Sequence, residues 1–158
     1  MDLQQAKAAI RDLIETAVHV IDDERYEDWP ELFAEQCSYR IVTREGLERG
    51  HLIGVMACGS RGMLRDRVNS LRKANIYEPH RYRHLLGPTR VLDPRDEGPL
   101  RARTGFALVR IMQDGRSELF LSGVYEDSIE LSSEGSRFLE RRVVLDSPRI
   151  DTLIVLPV

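Results

Sequence analysis

Apolar residues recur every three or four positions at the start of the chain, at Leu3, Ala6, Ile10, Leu13, Ala17 and Ile21. This spacing sets one apolar stripe and predicts a helix over residues 2–22. The acidic run Asp22-Asp23-Glu24 then reads as a turn. Asp28 is an expected N-cap for a second, short helix that turns Trp29, Leu32 and Phe33 inward, with Pro30 tolerated in its first turn. Cys37–Thr43 reads as a first strand. A further helix is expected over 60–73, where Leu64, Val68 and Leu71 form its apolar stripe.

Beyond that helix the period changes from about three and a half to two. Strands are predicted near 80–92, 101–112, 117–131, 137–146 and 150–155. The breaks between them carry turn residues at 93–99, Asp114-Gly115 and 132–135. Helices followed by a meander of long antiparallel strands predict an α+β fold in one domain over 1–158, with the helices packed on one sheet face. Strands longer than the usual five or six residues imply a twisted sheet that curls around the helices.

Two strands are unusually charged. Alternation in the first sets Tyr82, His84 and Leu86 against Arg81, Arg83 and Leu85. In the second it sets Arg137, Leu139, Arg141, Val143 and Leu145 against Phe138, Glu140, Arg142, Val144 and Asp146. Arginine is costly to bury unless paired and is enriched where proteins meet. Arg81, Arg83, His84, Arg141 and Arg142 are therefore the candidate subunit-interface residues. The competing reading is a solvated face on which arginines pair with Glu118, Glu126 and Glu140.

Composition narrows the partners. The 158 residues are 42% hydrophobic and 31% charged, with a net charge of −3 and no basic tail. That argues against nucleic acid or an anionic membrane as the main partner. No stretch approaches the roughly 20 apolar residues of a membrane span. The first residues lack a basic segment followed by an apolar one, so a soluble, cytoplasmic protein is expected. Two cysteines, Cys37 and Cys58, form neither a CxxC pair nor a disulfide framework and are expected as free thiols.

Candidate chemistry is sparse. His80 and His84 are four apart, but in a strand this places them about 13 Å apart. Zinc, with ligands at about 2 Å, cannot bridge them. No phosphate-binding glycine loop, dinucleotide fingerprint or GxSxG elbow occurs. No metal, cofactor or catalytic residue is assigned to this chain. One enzymatic reading stays open: a curled sheet closed by helices makes a conical pocket, in which Tyr26, Tyr39, His84, Tyr125 and Asp127 are candidates for acid–base work. His84 would need a carboxylate beside it, and the sequence does not reveal one.

Several segments, in order, resemble a known family. They are Tyr26-Glu27-Asp28-Trp29-Pro30-Glu31-Leu32-Phe33, Cys37-Ser38-Tyr39-Arg40-Ile41, Arg81-Tyr82-Arg83-His84-Leu85 and Arg141-Arg142-Val143-Val144-Leu145-Asp146. Across essentially the whole chain they resemble the small (β) subunits of Rieske-type aromatic-ring-hydroxylating dioxygenases. Within that family, Ala74-Asn75-Ile76-Tyr77-Glu78 and the ending Asp151–Pro157 are most similar to the terephthalate enzymes, with salicylate, anthranilate and benzoate oxygenases as relatives. The resemblance implies a cone-shaped fold like those of nuclear transport factor 2 and steroid isomerase. It implies an α3β3 assembly in which the β subunits also associate as a trimer and support the catalytic α trimer. It places the Rieske [2Fe-2S] cluster and the mononuclear iron in the α subunit. The isomerase relatives carry a catalytic acid near the first strand, where this chain has Gln36-Cys37-Ser38-Tyr39. A stand-alone lyase, isomerase or ligand-binding protein using the conical pocket is the alternative.

Overall fold

The first helix, α1 (Leu3–Asp22), starts at a capping box: the Asp2 side chain accepts from the Gln5 amide, and the Gln5 side chain accepts from the Asp2 amide. Ile10, Leu13, Ile14, Ala17, Val18 and Ile21 are buried, whereas Leu3 at the start of the expected stripe is exposed. Each isoleucine, leucine or valine buried in this way contributes roughly 1.5–3 kcal/mol. Glu24 adopts a left-handed conformation (φ 59°), and the chain reverses there.

This computed structural model describes residues 1–50, 54–73, 77–92, 98–149, 154 and 156–158. The expected helix capped by Asp28 is instead two 3-10 turns, Tyr26–Asp28 and Pro30–Leu32. The Asp28 carboxylate pairs with Arg25 at 3.1 Å rather than capping a helix. Pro30 has no N–H to offer, so the segment closes in short turns that still bury Trp29 and Phe33.

The remaining elements are β1 (Phe33–Thr43), α2 (Arg44–Glu48), β2 (Met56–Cys58), α3 (Arg61–Lys73), β3 (His80–Leu92), β4 (Leu100–Met112), β5 (Ser117–Ser132) and β6 (Gly135–Leu145). The expected helix over 60–73 buries Leu64, Val68 and Leu71 as its stripe requires. The four long strands 80–92, 101–112, 117–131 and 137–146 are present within two residues at each end. The strand expected over 150–155, the loop at 93–97 and Ala74-Asn75-Ile76 fall outside the described residues, Ile154 excepted.

One sheet runs in the order β2-β1-β6-β5-β4-β3. Every neighbour pair is antiparallel except β1 with β6. Register shifts interrupt β1, the β3–β4 pair, the β4–β5 pair and the β5–β6 pair. Such bulges bend a strand and increase its twist. The sheet thereby curls around α1, which packs on β3, β5 and β6, while α3 covers β1 and β2. Trp29, Phe33, Tyr39, Tyr125 and Phe138 fill the interior at 2% exposure or less. Val158 closes it: its amide donates to the Tyr39 oxygen at 3.1 Å, and the Tyr39 hydroxyl donates to its carbonyl at 2.9 Å.

Candidate functional site

Strand alternation in β3 turns Tyr82 and His84 into the cone and leaves Arg81 and Arg83 outside. The carboxylate that the sequence did not reveal lies at the end of α1. Asp22 Oδ1 is 2.6 Å from His84 Nδ1, and Asp22 Oδ2 accepts the His84 backbone amide at 2.9 Å. An ionised carboxylate only accepts, so Nδ1 is the donor. Both side chains are essentially inaccessible, and Arg83 on the outer side reaches Asp22 at 3.9 Å. An acid in the last turn of a helix opposes the helix dipole, so its place there depends on these donors.

His84 Nε2 and the Tyr125 hydroxyl are buried with no hydrogen-bond partner among the described residues. Aromatic rings surround them: Phe106 stacks on Tyr125 with centroids 4.3 Å apart, and Tyr82 meets His84 edge-on. Burial pushes the phenols of Tyr26, Tyr39, Tyr82 and Tyr125 well above their ordinary ionisation range. Asp22–His84 is the arrangement a general base needs on its orienting side. The other side of the ring faces packed aromatic groups.

A second buried pair joins β5 and β6. Asp127 and Arg141 stand directly opposite in β5 and β6. Arg141 Nε and Nη2 donate to the two Asp127 oxygens at 2.8 Å each. The guanidinium carbon lies 4.1 Å from the Tyr125 ring and 4.2 Å from Phe138. Arg141 is 1% exposed and Asp127 is 4% exposed. Burial pushes the Asp127 carboxyl upward against the pull of Arg141.

The five candidate interface residues therefore separate. Arg81 and Arg83 are exposed on the sheet edge, and Arg142 is half-buried on the outer face against Glu126. His84 and Arg141 are corrections: both lie inside the cone, held by Asp22 and Asp127. The pairing of Arg142 with Glu126 and of Arg110 with Glu118 matches the solvated-face reading for those two arginines. The strict alternation expected in the last strand also fails. The register shift at Leu139 puts Phe138 on the inner face together with Arg141. Among the pocket candidates, Tyr26, Tyr39, His84, Tyr125 and Asp127 are all buried, but Tyr39 is committed to Val158 and Asp127 to Arg141.

Among the described residues, no three His, Cys, Asp or Glu side chains converge as ligands for a metal ion. Cys37 and Cys58 are buried free thiols whose ionisation is pushed upward by burial. Two thiols alone do not supply the ligands of a [2Fe-2S] cluster. No described helix is long and apolar enough to cross a membrane.

A curled sheet closed by helices in this order defines the cone-shaped, nuclear-transport-factor-2-like class. An NTF2-like protein with a cystatin-like fold from Novosphingobium aromaticivorans superposes with a TM-score of 0.69 at 18% identity, covering 99% of this chain and 92% of that one. Residues 17–152 match the family model described as "Ring hydroxylating beta subunit", and the chain belongs to that family. It is 38% identical over 138 residues to the anthranilate 1,2-dioxygenase small subunit of Burkholderia cepacia, covering 87% of this chain and 85% of the relative. A terephthalate 1,2-dioxygenase terminal oxygenase subunit, beta 1, of Comamonas is 39% identical over 137 residues, covering 87% and 88%. A crystal structure named as a β subunit of an aromatic-ring-hydroxylating dioxygenase from N. aromaticivorans matches at TM-score 0.89 and 35% identity over 98% of both chains. The protein is thus a β subunit of a ring-hydroxylating dioxygenase, which implies an α-subunit partner.

Proposed function

We propose that this chain is the non-catalytic subunit of a Rieske-type oxygenase acting on an aromatic carboxylate, and that it holds the catalytic α subunits in an α3β3 assembly. The observation that carries the reading is likeness over 87% of the chain to small subunits of anthranilate and terephthalate dioxygenases, whose substrates are both aromatic carboxylates. The interior supports it. Its ionisable groups are spent on one another, Asp22 on His84 and Asp127 on Arg141, and aromatic rings fill the space between. These contacts stiffen a scaffold. In this reading the Rieske cluster and the mononuclear iron belong to the α subunit, and the exposed Arg81 and Arg83 and the half-buried Arg142 lie at subunit contacts.

One observation favours a second reading. The Asp22–His84 pair, with Nε2 unbonded, is what a lyase or isomerase in the same cone would use. Affinity purification of the tagged chain from its source cells separates the two. Co-purification of a larger subunit with a Rieske-type visible spectrum supports the first reading. A colourless, self-associated protein overturns it and directs activity tests to Asp22 and His84.

A further inference from the structure

The strand register lines up charges across the outer face. Arg90 of β3 stands opposite Arg103 of β4, Arg103 opposite Glu126 of β5, Glu126 opposite Arg142 of β6, and Arg142 beside Arg40 of β1. Directly registered residues share a face. In β4 the residues on either side of Arg103, Ala102 and Thr104, are buried, so this row points outward. Four strand spacings make it about 19 Å long. Four of its five members are arginines, and Glu126 pairs with Arg142. Among the described residues, no carboxylate pairs with Arg40, Arg90 or Arg103. Like charges directly opposite one another destabilise a sheet, so the chain keeps this row at a cost.

The helical side is arranged differently. Arg61 meets Glu35, Arg65 meets Glu31 and Arg72 meets Glu27. These three helical-side arginines are paired within the chain, unlike Arg40, Arg90 and Arg103. Over β4, β5 and β6 the row lines a groove of about 330 Å³, in which Glu126 lies between Arg103 and Arg142, with Arg101 and Glu140 alongside. The groove lacks an aromatic wall on which a small aromatic carboxylate would stack. Guanidinium groups at strand spacing suit carboxylates arriving one after another from a protein chain.

From this we infer that the outer-face row Arg40–Arg142–Glu126–Arg103–Arg90, with its groove, is a docking surface for an acidic segment of the oxygenase α subunit. The inference rests on the subunit reading above, and two experiments keep the two apart. In the first, the ¹⁵N-labelled chain is titrated with N-acetyl-octaglutamate at low salt. Amide shifts should gather at residues 40, 90, 101, 103 and 142. R90E/R103E should bind at least about tenfold more weakly, and R90Q/R103Q should fall between the two. All these side chains are exposed or half-buried, so an otherwise unchanged spectrum verifies folding. Shifts centred on the helical side, or equal binding by benzoate or inorganic phosphate, overturn the inference.

In the second experiment, tagged R90E/R103E is purified from source cells beside the wild type and R65E, which changes a paired helical-side arginine. Loss of the α subunit from R90E/R103E alone supports the docking surface. Retention by all three overturns the docking surface and leaves the subunit reading standing. Absence of any α subunit from the wild type overturns both.

Discussion

The buried pair of Asp127 and Arg141 offers the sharpest energetic test of this fold. Neither side chain is more than 1% exposed, and two 2.8 Å hydrogen bonds join them. Replacing Asp127 with Ala leaves a guanidinium that cannot lose its proton in a dry site. The expected cost is about 3–5 kcal/mol. Against a total stability of roughly 5–15 kcal/mol this is a large fraction. For a chain of this size it lowers the melting temperature by roughly 6–20 °C. Arg141→Met leaves a carboxyl instead, and a carboxyl can take up a proton. Burial without its partner raises its folded pKa further above the unfolded value. The stability of that variant should therefore be highest at low pH and fall as pH rises through this range, unlike that of Asp127→Ala. The double variant Asp127→Leu/Arg141→Met removes both charges and should recover most of the loss, to within about 1–2 kcal/mol of wild type. Urea denaturation of these proteins at pH 5 and pH 7.5, with the single variant Asp127→Leu included, completes the cycle. Single-variant losses below about 1 kcal/mol, or a double variant as unstable as the sum of the singles, would refute a desolvated, mutually dependent pair.

Two further outcomes follow from the interior. Tyr26, Tyr39, Tyr82 and Tyr125 have phenols pushed above their ordinary range by burial, so the folded chain keeps their protons at a pH where the unfolded chain loses them. Stability should then fall as pH rises above about 10, by roughly 1.4 kcal/mol per pH unit for each such group; absorbance at 295 nm should rise together with loss of the circular dichroism signal, and early ionisation of all five tyrosines in folded protein would contradict the burial. Gly123 lies where β5 crosses β6, and a Cβ there would fall well inside contact distance of the Val144 carbonyl oxygen; Gly123→Ala should cost about 2 kcal/mol or more in urea denaturation, and a neutral result would mean that the two strands part easily.

The elements that could be read from the sequence were those whose information is local. Period two in β3 is enough to place Tyr82 and His84 inside and Arg81 and Arg83 outside, and the stripe Leu64, Val68 and Leu71 is enough for α3. What escaped depends on a second segment. Alternation alone puts Phe138 and Arg141 on opposite faces, and only the count of residues in β5 shows the bulge at Leu139 that brings them together. β2 is three residues long and has no period to detect; it exists because Tyr39, Arg40 and Ile41 in β1 supply its pairing. Asp22 reads as the first residue of an acidic turn, yet it closes α1 with its carboxylate on a histidine 62 positions later. A trace of this was present: an acid in the last helical turn opposes the helix dipole and calls for a donor to hold it. The same logic separates the five candidate interface residues. Sequence chemistry recognises that an arginine or histidine in a strand needs a partner, but the fold decides whether it meets that carboxylate inside the cone, as His84 and Arg141 do, or on the surface, as Arg81 does with Glu24 and Arg142 with Glu126.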